Sequence, residues 1–335
     1  MKNVCLKLAV LSVFGVLSVQ ANAGEVTVPA AGFGSSAYTP CYNTGRDETP
    51  GPAGDGVGGA ADDRKGNFGS YPIALANYPT TSTSANSTCY VTKPTSEAIL
   101  PAGKTGFTAL PAVTSPIPTA TGAGGNIGTI VDRAWRNATT NTCIIGTRVT
   151  MVNADHDSGI AGTQLFEVND IARGGFSGLG DIKAYYTIFT SPVTVSSPVY
   201  RVGRTFTSVQ HRSKAFDTLV NKSLNGAGYL DLPTATGFNG PINGEITPIT
   251  ASAIASTTAA TQDAVVNDNY VDFTFDAVFT DDDGSTNANS AFIYIEASCT
   301  ADPTSQANAI RLRQTAQENT TPKEISMSGY AIGTP

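Results

Sequence analysis

Asn153, Asp155 and Asp157, in the run NADHDSG, set three oxygen-bearing side chains at alternate positions where a strand pattern ends. A tight turn can converge such oxygens on a hard cation such as calcium, which takes about six to eight oxygen ligands. Glu167 and Asp170 follow closely enough to complete a shell. The metal expectation is therefore Asn153, Asp155, Asp157 and Asp170 around calcium, and no other cofactor is implied. The spacing starts like a calcium-binding loop of the EF-hand kind, but no acidic residue stands at its twelfth position. The competing reading is an Asx-rich turn whose side chains bond their own backbone.

Other residues with chemical potential are less well placed. Asp281-Asp282-Asp283-Gly284 gathers repelling carboxylates, yet consecutive residues rarely aim at one point, and the run reads as turn chemistry. Paired carboxylates for glycoside hydrolysis would come from Glu167, Asp170, Asp272 and Asp276. Such pairs are defined by separation in space, and alternating carboxylates on a strand read more simply as a solvated face. Ser177 lies in Gly175-Phe176-Ser177-Gly178, which departs from G-x-S-x-G by placing Leu179 at the last glycine. His156 and His211 are the only histidines, and copper or zinc would need a third good ligand. Trp135 offers either a sugar-stacking platform or a core residue. No catalytic set emerges.

Arg201, Arg204, His211, Arg212, Lys214 and Lys222 form the one basic concentration, suited to a carboxylated polysaccharide or an acidic neighbouring subunit. Sequons begin at Asn86, Asn137, Asn221 and Asn319, and matter only in a host that glycosylates asparagine.

The segments that must position these residues begin with residues 1–23, which read as a secretory signal peptide. Lys2 and Lys7 precede the apolar run Leu8 to Val19, and Ala21-Asn22-Ala23 supplies the small residues before cleavage at Gly24. Loss of Lys2 and Lys7 takes the formal net charge from −7 to −9. An acidic chain without a basic run repels phosphate backbones, so nucleic acid is not expected as a partner. The apolar run is too short to cross a bilayer, and no second such run is read as a span of the mature chain. The expected location is periplasmic, cell-surface or extracellular.

Cys5 leaves with the signal. Cys41, Cys89, Cys143 and Cys299 remain, an even number that implies two disulfides in an exported chain. Three pairings are open, and Cys41–Cys89 with Cys143–Cys299 is preferred.

Residues 24–125 read as a loop-rich region with few strands, among them Phe68 to Tyr78. Residues 126–335 read as an antiparallel β-domain, which can form one unit with the preceding region. Thr142 to Asn153, Gln164 to Ile171, Asp181 to Thr190 and Pro198 to Ser208 are rich in β-branched and aromatic residues. Tyr270 to Thr280 alternates cleanly, with Val271, Phe273 and Phe275 on one face and Asp272, Thr274 and Asp276 on the other. Ala291 to Cys299 is expected as its hairpin partner, and Ala309 to Thr315 and Glu324 to Tyr330 as the last strands. Ser213 to Asn225 and residues 251–263 carry the only helical signals.

The expected fold is mainly β: an antiparallel β-sandwich or jelly-roll-like fold with long Gly/Pro/Thr-rich loops and at most one or two short helices. The expected role is that of an exported, non-enzymatic cell-surface or extracellular protein in structure, adhesion or assembly. Its expected partners are further copies of itself, or a cell-surface protein or polysaccharide. The alternatives are a calcium- or carbohydrate-binding module built on the Asn153–Asp157 turn, and a secreted hydrolase using carboxylates or Ser177.

Overall fold

Strands and their connections account for the whole of what the computed structural model describes: residues 24–32, 38–41, 89–120, 125–189, 199, 201–206, 266–280, 286–314 and 323–335. In chain order the strands are β1 (Val26–Val28), β2 (Tyr38–Pro40), β3 (Thr108–Ala109), β4 (Val113–Pro118), β5 (Asn126–Asn137), β6 (Thr142–Met151) and β7 (Val168–Gly174). They continue as β8 (Ile182–Thr187), β9 (Arg201–Gly203), β10 (Tyr270–Ala277), β11 (Phe292–Ser298), β12 (Thr304–Gln314) and β13 (Lys323–Ala331). The readings of Phe68 to Tyr78, Ser213 to Asn225, residues 251–263 and Asp281 to Gly284 fall outside the described residues.

Every pairing of named strands is antiparallel. One sheet runs β1-β8-β11-β6-β5-β3, with β4 also on β5, and the second runs β13-β12-β7-β10-β9-β2. The expected antiparallel β-sandwich is thus formed. Its interior draws on both sheets: Ile130, Ile145, Ala184 and Ile293 from the first meet Ile171, Phe273, Ile310 and Leu312 from the second.

Local chemistry explains the longest hairpin. β5 and β6 pair from Gly128↔Met151 to Asn137↔Thr142. Asn137 closes the turn, its Oδ1 accepting from the N–H groups of Thr139 and Thr140. Asn141 takes the left-handed conformation there, which Asn tolerates better than most residues.

The alternation of β10 has the expected phase, with Val271, Phe273 and Phe275 in the core. Its expected partner is wrong. β10 pairs with β7 and β9 in the second sheet, whereas β11 pairs with β6 and β8 in the first. The chain crosses between sheets after a single bridge, Val278↔Asn287. β11 can do this because both its faces are covered: Ile293 and Ile295 enter the core, while Phe292 and Tyr294 join a cluster with Trp135, Ile144 and Tyr185. Val91, Leu100 and Phe189 complete that cluster, with Phe107 against it.

Candidate functional site

Asp155 and Asp157 stand in one turn, and their oxygens are engaged by the protein itself. Asp155 Oδ1 accepts from the Asp157 and Gln164 backbone N–H groups at 2.9 and 3.2 Å. Asp157 Oδ1 accepts from the Gly159 N–H, and its Oδ2 pairs with Lys323 Nζ at 3.3 Å. Burial alone would raise the Asp157 carboxyl, but the Gly159 N–H and Lys323 outweigh it and hold the group below its ordinary value. This is Asx-turn geometry, which ties the β6–β7 connection to the start of β13. Asn153 is exposed. His156 between them is fully buried, with its ring edge-on to Phe166 at 5.3 Å.

Asp170 is not in that turn. It lies within β7 with 0% exposure and accepts a hydrogen bond from Thr274 Oγ1 at 3.2 Å. Register explains its setting, since Asp170 stands opposite both Thr274 of β10 and Arg313 of β12, and Arg313 stands opposite Glu324 of β13. Arg313 bonds Glu324 at 2.9 Å and Asp272 at 3.1 Å, and Arg311 bonds Glu324 at 2.7 Å. Burial would lower the Arg313 guanidinium, yet Glu324 and Asp272 overcome it and hold it above its ordinary value. The Phe206 ring covers both arginines, 4.5 Å from Arg313 and 4.9 Å from Arg311. The alternating Asp272 and Thr274, expected to be a solvated face, are therefore buried in an ionic row across the second sheet.

A second buried cluster joins the two sheets. Asp132 of β5 and Arg173 of β7, each with 1% side-chain exposure, form a 2.7 Å ion pair. Thr147 of β6 donates to Asp132 Oδ1, and Arg173 also bonds Thr147 and the Tyr330 carbonyl. Asp132 Oδ2 accepts the Tyr330 N–H at 2.6 Å. Gly329 is needed beside it, because a Cβ there would sit 2.8 Å from Asp132 Oδ2 and 2.4 Å from Ile310 Cδ1. The sequence reading missed this cluster. Its signal was present: Asp132 shares a strand face with Ile130 and Ala134, and a charge in core phase demands a buried partner.

The remaining candidates have structural surroundings. Ser177 is exposed and bonds Asp268, while its N–H and those of Gly175 and Phe176 converge on Asn269 Oδ1. Trp135 is a core residue at 3% exposure, tilted against Tyr294. Tyr294 stacks on Tyr185, and burial pushes both phenols above their ordinary value. Arg204 is fully buried and donates to the Phe176 carbonyl, so it does not belong to an exposed basic patch. His211, Arg212, Lys214 and Lys222 fall outside the described residues. Asn137 is engaged in its own turn and donates to the Thr105 carbonyl.

Cys41 pairs with Cys89 and Cys143 with Cys299, the preferred arrangement. Both disulfides suit an oxidising compartment. Among the described residues, no group of three or more His, Cys, Asp or Glu is arranged to hold a metal ion. No helix there is long and apolar enough to cross a membrane. No protein-family model matches this chain, and no curated protein or solved structure shows significant similarity to it.

Proposed function

We propose that this chain is an exported, non-enzymatic β-sandwich protein that acts at or outside the cell surface in structure, adhesion or assembly. One observation carries the reading: its buried charges join strands and sheets to one another. Asp132, Arg173, Asp272, Arg311, Arg313 and Glu324 all have side-chain exposures of 8% or less and pair among themselves. A catalytic site needs charges held in a cleft that a substrate can reach. Here they act as internal ties, which suits a load-bearing or building-block role.

The disulfides support the same reading. Cys41 directly follows β2, the edge of the second sheet, while Cys89 precedes Tyr90, which bridges to Tyr186 beyond β1 on the first. One side of the sandwich is thereby stapled covalently. The opposite side is held by the Asp132–Arg173–Tyr330 cluster.

The test is the association state of the secreted mature protein, followed by size-exclusion chromatography with light scattering and by electron microscopy. Concentration-dependent assemblies are expected. A strict monomer at every concentration would remove the assembly role.

A further inference from the structure

The outer face of the first sheet is aromatic and charged, and residues 91–107 lie across it. Register places Trp135, Ile144, Glu296 and Lys183 in one row over β5, β6, β11 and β8, with Arg133, Gly146, Tyr294 and Tyr185 in the next. Gly146 leaves room for the neighbouring rings, since a Cβ there would sit 2.4 Å from Phe292 and 3.0 Å from Trp135. Val91 and Leu100 of the crossing segment pack into this ring cluster, and Phe107 packs against it. The segment contributes no strand of its own.

Its ends and its middle are fastened differently. At one end the Val91 N–H donates to the Tyr186 carbonyl at 2.8 Å, beside the Cys41–Cys89 bond. At the other, β3 pairs with β5. Between them, the Ile99 and Lys104 N–H groups close turns within the segment, accepted by Ser96 and Pro101. Side-chain ion pairs hold this middle part to the sheet. Glu97 takes Arg148 of β6 at 2.6 Å, and Lys104 takes Glu296 of β11 and Glu25 before β1, both at 2.5 Å. Apolar anchorage there is small: Leu100 is buried, while Ile99 beside it is 52% exposed. Beneath, the Tyr185 and Tyr294 hydroxyls are buried without a hydrogen-bond partner, a cost that returning them to water would remove.

We infer that residues 91–107 are a strap that lifts as a unit from a sandwich that stays folded. Its two anchored ends act as hinges, and the Glu97–Arg148 and Lys104–Glu296–Glu25 pairs act as latches. Segments with few buried apolar contacts open locally at a lower free energy than the core. Here the latches, rather than a sheet ladder, set that free energy. Opening exchanges a polar cover for the rings of Trp135, Tyr185, Phe292 and Tyr294, so the strap switches the character of one whole face. A monomer opens and closes it equally well, and the switch is therefore independent of the assembly role.

Limited trypsin digestion of the mature protein, followed by mass spectrometry, tests this. Lys93 precedes Pro94, a bond trypsin does not cut, so Lys104–Thr105 is the one tryptic bond in the strap. Arg173 in β7, at 0% exposure, reports opening of the sandwich itself. The wild type should be cut after Lys104 well before Arg173. Glu97→Gln should speed the Lys104 cut about tenfold and leave the Arg173 cut unchanged, because cleavage follows the population of the open form. Trp135 is the chain's only tryptophan and is 3% exposed, so its fluorescence reads the cover directly. Glu97→Gln with Lys104→Met should make it more accessible to acrylamide while the sheet circular dichroism is retained. Cutting at Lys104 that only keeps pace with Arg173, in the wild type or in Glu97→Gln, overturns the strap as a separate unit. Fast cutting in Glu97→Gln with Trp135 still shielded in the double variant overturns its role as the cover. Should the double variant fail to fold, the order of cutting in the wild type and Glu97→Gln decides.

Discussion

At the scale of single residues, Asp132 shows why a buried charge ties a fold together only as part of a set. Two buried strands and the Tyr330 backbone converge on its carboxylate. Removing one member leaves the others charged and desolvated, which typically costs about 3–5 kcal/mol. Asp132→Ala should lower unfolding stability by about that amount in urea titration. Replacing Asp132 and Arg173 together with apolar residues should cost less than the single change. His156 gives a pH-dependent counterpart. Burial holds its imidazole below the ordinary value and Lys323 adds to this, while Asp157 and Asp155 oppose. The unfolded chain therefore takes up this proton before the folded one as the pH falls. The contribution is complete above the ordinary imidazole value of about 6.5 and declines as the pH drops below it. His156→Phe should flatten the loss of stability between about pH 7 and pH 5, followed by urea midpoints across that range.

At the scale of elements, period and composition were legible, and partnership was not. Val271, Phe273 and Phe275 advertise β10 because one face of the strand meets the core. The choice of β7 and β9 over β11 depends on residues far along the chain, which local alternation does not encode. The same limit hid the ionic row. Asp272 and Thr274 have the pattern of a solvent face, and only Arg313 and its cover, Phe206, reveal that they are enclosed. The turn at Asn153–Asp157 was legible as a cluster of oxygens. Whether Asp170 joins it was not, because β7 carries that residue to the middle of another sheet. Cysteine pairing was more tractable, since four thiols allow few arrangements. In the loop-closure model the two bonds contribute about 4 kcal/mol for Cys41–Cys89 and about 5 for Cys143–Cys299. Cys143→Ser with Cys299→Ser should therefore be the more destabilising pair in urea, against Cys41→Ser with Cys89→Ser.

At the scale of the whole molecule, two sheets are joined along both sides by different means, one covalent and one ionic. The ionic side includes β13, whose Tyr330 backbone is held by Asp132 and Arg173. The Cys41–Cys89 bond has a separate consequence under tension. It bypasses a sequence separation of 48 residues, and Cys143–Cys299 bypasses 156. At about 3.3–3.6 Å per residue, the two bonds hold back roughly 160 and 530 Å of contour length. A filament or tether containing this protein would reach a hard stop early when stretched, and only reduction would release the hidden slack.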